Sequence, residues 1–96
     1  MKYTGAVIAE SLIDEAFLNF VNITERRDGK IIFTVNDDFV SAVAEEISKA
    51  LTARGHVSIE NEYEQFMVYP NKVFRFPAKD EAARVKALEY AKSLGI

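Results

Sequence analysis

Asp28-Gly29, standing between the runs Phe20 to Arg27 and Ile31 to Val35, limits the fold of this chain more than any bulk property does. An Asp-Gly pair supplies the two positive-φ positions of a type I′ turn, whose twist matches that of paired strands. The first run alternates, with Phe20, Asn22, Thr24 and Arg26 on one face and Val21, Ile23, Glu25 and Arg27 on the other. An antiparallel hairpin is therefore expected here. A lone hairpin is at best marginally stable in water, so it must be extended by further strands or covered by a helix.

Both are available. Asn36-Asp37-Asp38 offers capping oxygens and negative charge for a helix start. Phe39, Val40, Val43, Ala44, Ile47 and Leu51 then recur at three and four, with Ser41, Glu45, Glu46, Ser48 and Lys49 largely opposite. This predicts an amphipathic helix of about four turns stopped at Gly55, with Arg54 near its last carbonyls. Tyr3 to Ala9 reads as a strand, and Asp14 to Leu18 as one helical turn. After the helix, His56–Asn61, Gln65–Tyr69 and Val73–Phe76 read as a meander turning at residues 61–64 and 70–72. Asp80 caps a second helix whose expected stripe is Val85, Leu88, Ala91 and Leu94, with Gly95 as its stop.

The order resembles a split β-α-β-β-α-β chain of the ferredoxin-like kind as far as the strand at His56. The expected class is α+β: a mostly antiparallel sheet with two long helices packed on one face and the other face free for function.

At 96 residues the chain is one domain, residues 1–96. With 49% hydrophobic and 28% charged residues it is neither disordered nor of low complexity. A domain this small buries about 60–65% of its unfolded surface, which makes self-association as a homodimer a natural source of added stability. The apolar run Ala6 to Ala9 is too short for a signal peptide, and no stretch approaches the ~20 apolar residues of a membrane span. The expected compartment is the cytoplasm, and no membrane partner is expected.

No cysteine is present, which removes disulfides, thiolate metal sites and cysteine nucleophiles, and the single His56 removes sites needing two imidazoles. Gly5, Gly29, Gly55 and Gly95 are isolated, so no phosphate-cradling loop exists. His56 and Ser58 share a strand face without any nucleophile elbow around them. Glu60, Glu62 and Glu64 alternate but fall at a turn, where solvated charge is the simpler account than a metal site. No catalytic residue, cofactor or metal site is assigned.

Two weaker patterns are kept. Glu10-Ser11, at the end of the first strand, is the candidate ligand-binding pair of a small-ligand protein or minor enzyme. Arg26, Arg27, Lys72 and Arg75, with Phe74 and Phe76 beside the last two, are the candidate cations of a weak RNA binder. Alternation makes the two Phe core residues, and a net charge of −3 argues against a nucleic acid partner. That charge is uneven: residues 1–48 hold four basic and nine acidic side chains, and residues 72–96 hold six basic and three acidic.

Lys2-Tyr3-Thr4-Gly5, Glu10-Ser11-Leu12, Lys72-Val73-Phe74-Arg75 and the closing run Ala87 to Ile96 resemble a family of small uncharacterised prokaryotic α+β proteins. The chain departs from that pattern at His56-Val57, where members often carry an aromatic pair, and in stopping at Ile96, where members continue through a Pro. The resemblance implies a stand-alone small α+β protein and no particular activity. The favoured expectation is a non-catalytic domain that binds itself or another protein through a sheet edge or the helix-free face.

Overall fold

In the computed structural model, which describes residues 1–96, a single six-stranded sheet runs in the order β2-β3-β1-β4-β5-β6. The strands are β1 (Lys2–Ile8), β2 (Asn22–Arg27), β3 (Lys30–Asn36), β4 (Val57–Glu60), β5 (Glu64–Tyr69) and β6 (Lys72–Pro77). Every neighbouring pair is antiparallel. The helices are α1 (Asp37–Ala50) and α2 (Glu81–Ser93), and two short 3-10 segments, Ala9–Ser11 and Ala16–Phe20, link β1 to β2. No helix is long and apolar enough to cross a membrane.

Asp28 and Gly29 close the β2–β3 hairpin with φ of 52° and 78°, the two positive values a type I′ turn requires. The β1-to-β2 connection passes over β3, and β3-α1-β4 passes over β1. The first four strands thus reproduce the split pattern suggested by the order of elements, with 3-10 turns in place of its first helix.

One face of the sheet is filled by α1. Val40, Val43, Ala44 and Ile47 meet Tyr3, Val7, Ile31, Phe33, Val35, Val57, Ile59, Phe66 and Val68 in a 15-residue core that also takes in Phe17 and Leu51. Phe33 lies directly across from Gly5, and a Cβ on Gly5 would meet the Phe33 ring at 2.5 Å. The missing side chain is what lets that ring lie down over β1.

The expectation of two helices on one face is corrected. Tyr69, Phe76, Ala87 and Ala91 form a separate four-residue core with Met67, Phe74, Ala83, Tyr90 and Leu94 around it. Phe66 and Val68 face α1, so Met67 and Tyr69, one residue out of phase, face the other way. Helix α2 therefore lies on the opposite face, over β5 and β6. The physical reason is that these strands are apolar on both sides, as strands covered on both faces are.

The stripe of α2 is corrected too. Ala83, Ala87, Tyr90, Ala91 and Leu94 meet the sheet, while Val85 and Leu88 are 48% and 45% exposed. Small alanines bring the helix close to the aromatic trio Tyr69, Phe74 and Tyr90, whose ring centroids lie 5.5–6.0 Å apart. Asp80 caps α2 as expected, its Oδ1 accepting from the Ala83 amide at 3.0 Å.

Helix α1 ends at Ala50, earlier than Gly55. The Ile13 amide donates to the Ala50 carbonyl at 2.6 Å and the Thr52 amide to the Ser11 carbonyl at 2.8 Å, so Leu51 leaves the helix to bridge Leu12. Gly55 is a close-packing residue: a Cβ there would lie 2.9 Å from Leu51 Cδ2 and 3.1 Å from the Ser11 carbonyl. The alternation expected along β2 also breaks, because its register against β3 shifts between Ile23 and Glu25. Such a bulge on an edge strand hinders pairing with another chain.

Candidate functional site

Helix α2 covers only the β5–β6 end of its face. Across β2, β3, β1 and β4 that face is uncovered, and register places on it Asn22, Glu25 and Arg27, then Lys30, Ile32 and Thr34, then Lys2, Thr4, Ala6 and Ile8, then Ser58 and Glu60. The centre of the open half is small or apolar, built from Thr4, Ala6, Ile8, Ile32, Thr34 and Ser58. Its rim is charged. A centre that mixes apolar area from Ala6, Ile8 and Ile32 with the hydroxyls of Thr4, Thr34 and Ser58, inside a charged rim, suits a protein contact.

A concavity of about 470 Å³ lies over this half, lined by Thr4, Ala6, Ile8, Lys30, Ile32 and Ser58 together with Ser11, Arg54 and His56 at one end. A second, of about 540 Å³, runs along the inner flank of α2 between Val85 and Leu88 on the helix and Met67 and His56 on the sheet. His56 borders both, so the first, a shallow trough over the open half, adjoins the second at that residue.

The expected pair Glu10-Ser11 is divided by this geometry. Both lie in the Ala9–Ser11 3-10 turn, but Ser11 lines the trough and Glu10 does not. His56 and Ser58 line the trough together, yet the Ser58 hydroxyl accepts from Gln65 Nε2 at 2.9 Å and makes no hydrogen bond to His56. No nucleophile–base pair is formed.

The four cations of the nucleic-acid alternative do not share a surface. Arg26 and Arg27 lie on β2 and Lys72 and Arg75 on β6, the two opposite edges of the sheet. Five strand spacings, about 24 Å, separate those edges. Within each pair the neighbours also point to opposite faces: Arg26 pairs with Ile31 and Arg27 with Lys30, while Lys72 pairs with Tyr69 and Arg75 with Phe66. Phe74 and Phe76 belong to the core beneath α2.

One polar cluster escaped the sequence reading. The Tyr3 hydroxyl donates to Glu64 Oε1 at 2.7 Å, and Arg75 Nε lies 3.0 Å from Glu64 Oε2. The Arg75 guanidinium sits 5.0 Å above the Phe66 ring, which the Tyr3 ring meets edge-on at 5.6 Å. Asn61 Oδ1 accepts from the Tyr63 and Glu64 amides, both at 2.8 Å, and so fixes the start of β5. The Arg75 hydrogen bond, and then that of Tyr3, hold the Glu64 carboxyl below its ordinary value. The bond to Glu64 raises Tyr3, with burial adding to it, and also raises Arg75. All three groups move away from neutral pH, so none is poised to exchange a proton there. The cluster ties β1, β5 and β6 together on the α1 side. Nothing local announces it, since Tyr3 and Glu64 are 61 residues apart.

Comparison of the chain with protein-family models, with curated proteins and with solved structures finds no match. No group of three His, Asp or Glu side chains is placed to hold a metal ion.

Proposed function

We propose that the chain is a non-catalytic interaction domain whose binding surface is the open half of the sheet beside α2. The observation that carries it is the uneven cover of the two faces. Helix α1 and its neighbours fill one face, while on the other a surface of small, hydroxyl and apolar side chains lies open beside a helix flank bearing the exposed Val85 and Leu88. Exposed apolar side chains, Ile8, Val85 and Leu88, rimmed by charge favour a protein contact. The surrounding groups support binding over chemistry, because the one His has no hydrogen-bonded partner for proton transfer and the half-buried Glu64 carboxylate is held by Tyr3 and Arg75.

A photo-crosslinking side chain in place of Ile32 tests this, with one in place of Lys49, on the exposed side of α1, as control. Cross-links from position 32, to a second copy or to another protein, with none from position 49, are the expected result. Equal labelling from both, or none from position 32, would contradict it.

A further inference from the structure

We infer that the occupant of the open half is an acidic amphipathic helix of a partner protein, seated beside α2 as a second helix on that face. This rests on the open half being a binding surface and goes further in naming what covers it.

Shape selects a helix. Helix α2 covers β5 and β6 and leaves a strip of four strands, about 19 Å wide at ~4.8 Å per strand. Neighbouring helices pack about 8–10 Å apart, so the strip takes a further helix alongside α2. That helix meets side chains on two sides. Beneath it lie Ala6, Ile8 and Ile32, with the short Thr4 and Ser58 letting its backbone come close. Beside it stand Val85 and Leu88, which line the concavity on the inner flank of α2 and are exposed without it. A seat with a floor and one wall suits the apolar stripe of an amphipathic helix, roughly 100° wide. An extended peptide finds no strand edge to pair with here, since β1, β3 and β4 each have a neighbour on both sides.

Charge selects an acidic one. On the open half Lys2, Arg27, Lys30 and Arg54 stand against Glu25 and Glu60, and on α2 Arg84, Lys86 and Lys92 stand against Glu81 and Glu89. This side therefore holds an excess of three positive charges in a chain of net −3, and the remainder holds −6. Lys2, Lys30, Arg54 and Lys92 have no ion-pair partner within the chain. Lys30 and Arg54 line the trough itself, where Glu60 is the one carboxylate, and Lys92 lines the adjoining concavity with Glu89. The outer side of α1 has the opposite sign, with Asp38, Glu45 and Glu46 exposed against Lys49. An acidic partner is thus steered to the open half and away from α1. A nucleic acid carries the same charge, but register places no Phe, Tyr or Trp on the open half for bases to stack on.

Fluorescence anisotropy with the full chain tests this. Two labelled peptides, each about 20 residues long, share one leucine stripe and carry either Glu or Lys at the other positions. An oligouridine with the charge of the Glu peptide is the third probe. The Glu peptide is expected to bind roughly tenfold more tightly than the Lys peptide, to gain helical circular dichroism on binding, and to weaken as salt is raised. Lys30→Glu combined with Arg54→Glu should weaken the Glu peptide and strengthen the Lys peptide, which a merely damaged fold would not do. Leu88→Ala should weaken both peptides, and Lys49→Glu, on α1, neither. Circular dichroism checks that each variant is folded. No binding of the Glu peptide, equal binding of the two peptides, or indifference to the charge reversal would overturn the acidic occupant. Binding without a gain of helix would overturn the helix, and tighter binding of oligouridine would put a nucleic acid in its place. In each of these cases a cross-link from position 32 to another protein leaves the binding surface standing, whereas no cross-link from position 32 removes both.

Discussion

The two helices of this protein do different work on the two faces of one sheet. Helix α1 stands over a 15-residue core assembled from five elements of regular structure and a 3-10 turn, and leaves little of its face bare. Helix α2 closes a core of four buried residues, two of them alanines, and leaves four strands uncovered beside it. Stability is therefore concentrated on the α1 side and availability on the α2 side. A sheet with one well-filled face can leave part of the other for binding.

The largest expected effect comes from the α1 side. Phe33→Ala should destabilise the protein by about 3–5 kcal/mol in denaturant unfolding, the usual cost of emptying a fully buried aromatic site. Tyr90→Ala, half-buried in the α2 layer, should cost ~1–2 kcal/mol by the same measure. Equal losses would break the comparison. Gly5→Ala comes next. The added methyl would collide with the Phe33 ring, and a penalty of about 1–3 kcal/mol is expected from overpacking.

Glu64→Gln probes the join between the two sides. Losing the charge that holds Tyr3 and Arg75 should cost about 1–2 kcal/mol at neutral pH. The sign with pH is definite: a carboxyl whose folded pKa is lowered contributes fully above the unfolded value near 4.5 and loses that contribution as pH falls through the folded one. The gap between the wild type and Glu64→Gln, followed by unfolding at decreasing pH, should therefore narrow on the acid side of 4.5. A constant gap would show that the carboxylate is not held as the geometry describes.

The smallest effects compare the helix starts. Asp80→Ala removes a side-chain cap and should cost about 1 kcal/mol. Asn36→Ala removes a side chain that makes no capping hydrogen bond, and should stay within ~0.5 kcal/mol. Thermal unfolding of the two variants distinguishes these. The contrast would show α2 leaning on its own cap where α1 leans on the core.

What was legible in the sequence follows the same division. The β2–β3 hairpin and the α1 stripe are local signals, a turn dipeptide and a three-four period, and both appear, with a bulge interrupting β2, α1 stopping at Ala50 and Phe39 left half exposed. The face of α2 was not legible, because the residues that touch the sheet are mostly alanines, which carry little hydrophobic weight, while Val85 and Leu88 suggest the wrong side. Its placement on the opposite face did leave a trace. Phe66-Met67-Val68-Tyr69 is apolar without alternation, as expected of a strand covered on both sides. The open half of the sheet, and the entry of Ser11 but not Glu10 into its trough, depend on where α2 sits. The Tyr3–Glu64–Arg75 cluster depends on pairing across the whole chain, and no local period reports that.

The most direct test of unequal faces is the reactivity of single cysteines introduced into this cysteine-free chain. Cysteines in place of Thr4 and Ile32 on the open half are expected to be labelled rapidly by a thiol reagent in the folded protein, and cysteines in place of Val43 and Ile47, buried under α1, only as the protein unfolds. Equal labelling at all four positions, or protection at positions 4 and 32, would contradict the account.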